Sequence, residues 1–314
     1  MKRNCCTVLV ALLAMTLVLP GCSTGQAKSI TIAAQDSTES YILTAMAGDL
    51  LRNAGYRVNE KAGMKTADAR TALIAGNIDA YIEYTGVAWI RYLKQTECIQ
   101  DPVALFTKVR QSDLAANGID WIDCMIRVNS SPALVTSKKF ESYLGTSISM
   151  LAKVQQKSSE KSITDLLVSP NFYDVPDGFR SMEKKYQLVV PADKIQFYDT
   201  TSDISDQLYL EELAFSPTNY TFSIAALPLT EPKIRKFGFV VLKDDKGFFS
   251  VCNPALCIRK DVLTKYPGIS DVLKPLTETL TQQDMITLNY EAEIDGLAPR
   301  EVAARYLKEK GLIR

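Results

Sequence analysis

Strand and helix patterns alternate through the first part of the chain, and this alternation is the strongest constraint on its fold. Residues 29–34 alternate in polarity as a strand does, and an amphipathic helix follows from Thr38 to the glycine at position 55. A second strand, a second helix over residues 66–75 and a third strand over residues 77–81 complete a βαβαβ pattern. This pattern predicts a mainly parallel sheet with helices on its faces.

The α/β pattern returns in the middle of the chain. Residues 165–167 read as helical, and two strands are predicted on either side of the turn Asp244-Asp245-Lys246-Gly247. Other helices are expected at 102–117, 179–186, 202–213 and, in the last sixty residues, at 261–265, 269–281, 282–293 and 299–310. Other strands are expected at 119–128, 195–198 and 222–226.

A body of about 290 residues is too long for one small core, so we expect two α/β lobes with a ligand cleft between them. The expected lobes are residues 29–130 with 245–314, and residues 131–244. Closure of the lobes about residues 127–133 and 250–258 would bury a small solute.

The N-terminus has the pattern of an export signal. Lys2 and Arg3 precede an apolar run over residues 8–19, which is too short to span a bilayer. The following Leu19-Pro20-Gly21-Cys22 resembles a bacterial lipobox, so Cys22 is expected to carry lipid; the alternative is an ordinary signal peptide with an incidental cysteine. The expected bounds are 1–21 for the signal peptide and 22–28 for a polar tether. We therefore predict an exported protein, lipid-anchored at the bacterial cell envelope.

Composition argues against several functions. The 36 basic and 36 acidic residues balance, and no basic stripe suggests a nucleic-acid partner. The chain of 314 residues contains no histidine, which excludes Ser-His-Asp and Cys-His catalysis. No glycine-rich phosphate loop is visible. We therefore expect neither an enzyme nor a cofactor.

Four cysteines remain after the signal and the lipidated residue are set aside. Cys98, Cys124, Cys252 and Cys257 are an even number in an exported chain, where disulfides are permitted. Three connectivities are open, and the most local pairs Cys98 with Cys124 and Cys252 with Cys257. A metal site is not expected, because the chain has no CxxC motif and no histidine.

Several segments resemble the substrate-binding proteins of ABC importers for glycine betaine, choline and carnitine. These are Ile78-Asp-Ala-Tyr-Ile-Glu-Tyr-Thr-Gly86, Phe172-Tyr-Asp-Val-Pro-Asp-Gly178, Val241-Leu-Lys-Asp-Asp-Lys246, and Asn289-Tyr-Glu followed by Pro299 to Leu307. The resemblance spans residues 29–313. It implies a type II periplasmic-binding-protein fold, a monomer that captures a small solute, and delivery to an ABC permease and its ATPase. A lipoprotein that senses its ligand without transport has the same sequence features.

The resemblance also implies a site. A trimethylammonium group has no N–H to donate and is held by cation–π attraction within a box of aromatic rings. Tyr84 matches one box tyrosine, Tyr209 a second, and Gln35 a polar contact, although each could instead serve packing or capping. The other candidate contacts are Thr85, Asn129 at the crossover, Thr230, and Thr66 and Asp68 at a helix start.

Three family positions depart from the pattern. Two box tyrosines are replaced by Pro132 and Pro228, and a carboxylate-binding arginine is replaced by Val175. Val87 also stands where the family often has threonine. A betaine is therefore the leading ligand by family, with another small zwitterion or amine as the alternative. Rings that could rebuild a box are Tyr41, Trp89, Tyr173, Tyr220 and Phe222.

Overall fold

The computed structural model describes residues 28–157, 163–213 and 222–314. The predicted signal peptide, the lipidated Cys22 and the tether before Lys28 lie outside these residues, as does Tyr220. The strands are β1 (Ser29–Gln35), β2 (Arg57–Met64), β3 (Ala80–Tyr84), β4 (Ile119–Ile122), β5 (Pro132–Thr136), β6 (Ile163–Val168), β7 (Ile195–Phe197), β8 (Phe222–Pro228), β9 (Val240–Val241) and β10 (Pro254–Arg259).

Helices cover both sheets. The α-helices are α1 (Thr38–Asn53), α2 (Thr66–Ile74), α3 (Thr85–Val87), α4 (Pro102–Asn117), α5 (Glu141–Leu144), α6 (Ile148–Lys157), α7 (Pro170–Tyr173), α8 (Phe179–Tyr186), α9 (Thr201–Leu213), α10 (Pro232–Phe237), α11 (Lys260–Lys265), α12 (Ile269–Thr279), α13 (Gln282–Glu293) and α14 (Pro299–Glu309). A π-helix (Ala88–Tyr92) continues α3, and 3-10 turns lie at Lys138–Phe140 and Ala192–Lys194.

The first sheet combines strands from both ends of the chain, in the order β2-β1-β3-β10-β4. β1 pairs in parallel with β2 and β3, whereas β10 is antiparallel to β3 and β4. Because β10 returns from the far end of the sequence, this lobe is built from two separate segments. Ser37 caps the N-terminus of α1, since its hydroxyl accepts a hydrogen bond from the Ser40 amide.

The second sheet has the order β7-β6-β8-β5-β9. β6 is parallel to β7 and β8, and β5 is antiparallel to β8 and β9. The expected helix at residues 165–167 is wrong, because these residues lie in β6. Leu166, Leu167 and Val168 are all fully buried, and a short apolar run of this kind does not distinguish a central strand from a buried helix.

The pair of strands expected around residues 244–247 is also not a hairpin, because β9 lies in the second sheet and β10 in the first. The carboxylate of Asp244 explains the difference. It accepts hydrogen bonds from the amides of Phe248 (2.9 Å) and Phe249 (2.8 Å), which turns the chain back towards the first lobe. The turn was recognised correctly, but the strand after it pairs elsewhere.

Two segments connect the lobes side by side: an outgoing crossover (residues 123–131) and a return crossover (residues 250–253). The Ser130 amide donates to the Cys252 carbonyl at 2.9 Å, and the Asn253 side chain donates to the Val128 carbonyl at 2.6 Å. These contacts hold the crossovers together between the sheets.

Each sheet is covered on its two faces by apolar side chains, which gives each lobe its own core. Ile30, Ile42 and Met46 represent one face of the first sheet, and Trp121 the other. Phe248 and Phe249 pack with the core of the second sheet. Within the described residues, no helix is long and apolar enough to cross a bilayer.

Candidate ligand-binding cleft

A cavity of about 130 Å³ lies between the two lobes, beside the carboxyl end of β3. Its size suits a small solute rather than a drug-sized ligand. The lining residues are Gly86, Ile90, Gln95, Thr96 and Cys98 from the first lobe, Pro132, Pro176, Asp177, Phe248 and Phe249 from the second, and Ser250 and Cys252 from the return crossover.

The aromatic surface of the cavity comes from Phe248 and Phe249. Their ring centroids lie 4.9 Å apart in an edge-to-face arrangement, and Phe172 packs behind Phe249 at 6.0 Å. Neither phenylalanine was among the rings expected from the sequence. The Phe-Phe pair directly after the Asp-Asp-Lys-Gly turn was the available signal, since that turn begins the segment that leads from the second lobe to the return crossover.

Position 86 requires a glycine, because there is no room for a side chain. A Cβ atom there would lie 2.6 Å from the Cys252 sulfur and 2.8 Å from the Val251 carbonyl oxygen. The start of α3 therefore packs directly on the return crossover. Thr85 is fully buried beside it, and its hydroxyl donates to the Val251 carbonyl (3.2 Å) and accepts from the Asn253 amide (3.1 Å).

Tyr84 is tied to the crossovers through Glu39. The Tyr84 hydroxyl donates to Glu39 Oε1 at 2.7 Å, and the Ser130 hydroxyl donates to the same oxygen at 2.6 Å. The Asn289 amide donates to Glu39 Oε2 (3.1 Å) and to the carbonyl of Thr230 (3.1 Å), which belongs to the second lobe. Burial, together with Glu39, raises the pKa of the Tyr84 phenol well above its ordinary value.

The other polar candidates are engaged within the protein. Gln35 donates to the Ile82 carbonyl (2.8 Å) and accepts from the Thr66 hydroxyl (2.6 Å), which joins the end of β1 to the start of α2. Asn129 Oδ1 accepts from the Cys252 amide at 3.0 Å, and the Thr230 hydroxyl donates to Ser130 at 3.3 Å.

None of the eight candidate contacts is a lining residue of the cavity. Tyr209 and Asp68 also lie outside the hydrogen-bond contacts described above. Tyr209 stacks on Phe237, with centroids 4.2 Å apart, where α9 packs against α10. Asp68 is exposed in the first turn of α2.

The three departures from the family pattern gather at one place. Pro132 lines the cavity, and Pro228 lies directly opposite it in the register of β5 and β8. Val175 immediately precedes Pro176 and Asp177, which both line the cavity.

Three of the rings proposed to replace the missing tyrosines have other partners. The Tyr41 hydroxyl donates to Asp36, Trp89 donates to the Glu97 carbonyl, and Tyr173 stacks on Phe179. The side chain of Phe222 lies outside what the structure describes.

An ion pair joins the lobes next to the cavity. Arg91 Nε, from the π-helix of the first lobe, donates to Asp177 Oδ1 at 2.8 Å and to Oδ2 at 3.2 Å. Arg91 Nη1 also lies 3.4 Å from the Asn171 carbonyl oxygen. Sequence reasoning missed Arg91, because it lies five positions beyond the recognised Tyr-Thr-Gly segment.

The expected disulfides are absent: Cys98, Cys124, Cys252 and Cys257 are all free thiols. The chain from Cys252 to Cys257 runs into β10, and five extended residues place the Cα atoms about 16 Å apart, beyond the reach of a disulfide. Cys98 donates instead to the Phe248 carbonyl at 2.6 Å. Burial raises the pKa of the Cys124 and Cys252 thiols to about 12. Such thiols are poor nucleophiles.

Two lobes joined by paired crossovers, with a cavity between them, are the architecture of a hinged solute-binding protein. A crystal structure of a glycine betaine/carnitine/choline ABC transporter shares this fold, with a TM-score of 0.72 and 21% identity over 90% of this chain and 99% of that one. The chain belongs to the family described as the substrate binding domain of the ABC-type glycine betaine transport system, which matches residues 28–309.

Two relatives are similar to most of this chain. A glycine-betaine-binding protein of Pseudomonas aeruginosa is 31% identical over 92% of this chain and 90% of that protein. The ergothioneine transport permease/ergothioneine binding protein EgtU of Helicobacter pylori is 27% identical over 98% of this chain but only 52% of its own length. The predicted family, the two-lobed α/β fold and the role as the substrate-binding component of an ABC importer are confirmed.

Proposed function

We propose that the protein captures a small quaternary amine, glycine betaine or a relative such as choline, in the cavity between its lobes. The observation that carries this proposal is the edge-to-face pairing of the Phe248 and Phe249 rings on one small cavity, with the Asp177 carboxylate, paired to Arg91, on its rim. A quaternary ammonium ion has no N–H, so ring faces and a nearby negative charge are the groups that attract it.

The expected polar contacts have a supporting role in this proposal. Tyr84, Thr85, Asn129 and Thr230 fix the crossovers at the edge of the cavity, and Gln35 with Thr66 fixes the ends of β1 and α2. All eight expected contacts, Tyr209 and Asp68 included, would then influence the solute only indirectly, since none of them lines the cavity.

A second candidate is another small zwitterion or amine. Pro132 and Val175 stand at or beside the cavity where the family has a tyrosine and an arginine, so the chemistry of this wall has changed. Losing one ring of an aromatic box removes roughly 1–2 kcal/mol of cation–π attraction for a quaternary amine. The importer role is the same for either ligand.

The solute would pass to an ABC permease and its ATPase, and this protein would make or break no bond of the solute. We further propose that the protein is a monomer held at the cell envelope by lipid on Cys22. A Cys22→Ala variant should then move from the membrane fraction to the soluble fraction. Turnover of common ester, phosphate or glycoside substrates would refute the proposal that this chain is not an enzyme.

The ligand is tested by a thermal-shift screen of the purified protein against betaines, choline, carnitine, ectoine, polyamines and amino acids. A solute at 100 times its dissociation constant adds about 2.7 kcal/mol of stability. A shift with glycine betaine or choline supports the first proposal. A shift confined to another zwitterion or amine supports the second. A sensor role would be favoured if deletion of the protein left uptake of the bound solute unchanged.

A further inference from the structure

The ion pair between Arg91 and Asp177 differs from the others in the molecule. Among the described residues, it is the one ion pair whose partners lie in different lobes; Arg110 with Asp120, for example, is contained in the first lobe. Its geometry is good, because Arg91 Nε lies within 3.2 Å of both carboxylate oxygens. Contacts between lobes change when the lobes move, so this pair depends on how the two lobes are arranged.

The pair is also partly shielded from water. The side chains of Arg91 and Asp177 are 26% and 18% exposed, compared with 47% and 14% for Arg110 and Asp120. Attraction between charges strengthens as water is excluded, although exposure at this level still leaves it open to screening by salt.

Both partners are held by their local backbone. Arg91 lies in a π-helical turn, a geometry that is rare and often found at functional positions. Asp177 precedes Gly178, whose amide donates to the Val175 carbonyl at 2.9 Å; a Cβ atom at Gly178 would overlap the Phe172 carbonyl oxygen. This tight turn fixes the carboxylate that faces Arg91.

The pair borders the cavity, because Ile90, Pro176 and Asp177 are lining residues. Arg91 also approaches the Asn171 carbonyl oxygen, so one side chain of the first lobe contacts both α7 of the second lobe and the loop that follows it. Separating the lobes at this edge breaks both contacts.

We propose that Arg91 and Asp177 form a clasp that holds the lobes together in the absence of solute and opens to admit it. The clasp shifts the unliganded protein towards the closed state, and salt weakens it. This inference concerns the empty protein, so it stands or falls independently of the identity of the solute.

Small-angle X-ray scattering of the solute-free full chain tests the clasp. At low ionic strength we expect Arg91→Gln and Asp177→Asn each to have a larger radius of gyration than the wild type. One molar salt should expand the wild type in the same direction while leaving the two variants unchanged. Arg110→Gln removes an ion pair within one lobe and should scatter like the wild type. Circular dichroism checks that every variant is folded.

The charge-swapped double variant, Arg91→Asp with Asp177→Arg, tests whether charge attraction or the shape of the two side chains holds the lobes together. A return to the wild-type radius supports an ionic clasp. The proposal is overturned if the folded single variants superimpose on the wild type, or if the swapped protein stays as open as the single variants.

Discussion

Glu39 shows how one buried carboxylate can organise a hinge. It comes from the first turn of α1, yet it accepts hydrogen bonds from Tyr84, Ser130 and Asn289, which belong to three separate segments. Asn289 also reaches Thr230 in the second lobe. A buried charge is costly unless it is hydrogen-bonded. Loss of any one donor therefore destabilises the whole network.

Tyr84→Phe tests this network. Removing the hydroxyl leaves Glu39 with one donor fewer, and we expect a loss of about 2 kcal/mol in the free energy of unfolding. Tyr41→Phe is the matched control, because its hydroxyl also donates to a carboxylate at 2.7 Å but at an exposed site. Chemical denaturation measures both variants. Equal losses in the free energy of unfolding would show that a hydrogen bond in the Glu39 network stabilises the protein no more than an exposed one.

Glu83 makes stability depend on pH. Burial raises its pKa from 4.5 to about 7, so the folded protein holds this proton where the unfolded chain releases it. Stability from this group is fully present below pH 4.5 and is lost as pH rises through 7, by roughly 3 kcal/mol.

Urea denaturation at pH 5 and pH 8 measures the effect of Glu83. Glu83→Gln keeps an acceptor for the Tyr84 amide and should reduce the fall in stability between the two values. Glu278→Gln, at an exposed position, should keep the wild-type fall. The opposite sign, a wild type that becomes more stable relative to Glu83→Gln as pH rises, would contradict a raised pKa.

At the scale of elements, α3 packs closely on the return crossover. Gly86→Ala places a methyl group within 2.8 Å of backbone and sulfur atoms. We expect a loss of roughly 1–3 kcal/mol in the free energy of unfolding, since overpacking forces atoms to shift. Gly268→Ala is the control, because nothing lies within 4 Å of the added Cβ and its φ is −79°. Thermal unfolding that ranks the two variants equally would argue against close packing at Gly86.

Local patterns predicted many elements and failed where pairing is decided at long range. The helix α4 was predicted with its observed ends, because Pro102 begins it and the left-handed Gly118 follows it. β6 was misread, since its buried apolar run has no period that separates a strand from a helix. The sheet that β10 joins is decided by its pairing with β3 and β4, and no local sequence signal encodes that pairing.

At the scale of the whole molecule, the two-lobed architecture could be predicted from the βαβαβ start and the family segments. The site was only partly predictable. Pro132 and Val175 were recognised as changes, and they do lie at or beside the cavity. Phe248, Phe249 and Asp177 come together from distant segments, so sequence order alone gave no reason to combine them. The disulfides that the sequence permitted are not formed, because an even count of cysteines carries no information on distance.

The central claim is that the solute binds against the rings of the cavity, and calorimetric titration with glycine betaine tests it most directly. Phe249→Leu keeps an apolar side chain but removes a ring face, so we expect about tenfold weaker binding than in the wild type. Phe237→Leu removes the ring that stacks on Tyr209, and its affinity should equal that of the wild type. No binding by the wild type, or a loss in Phe237→Leu without one in Phe249→Leu, would contradict this account of the site.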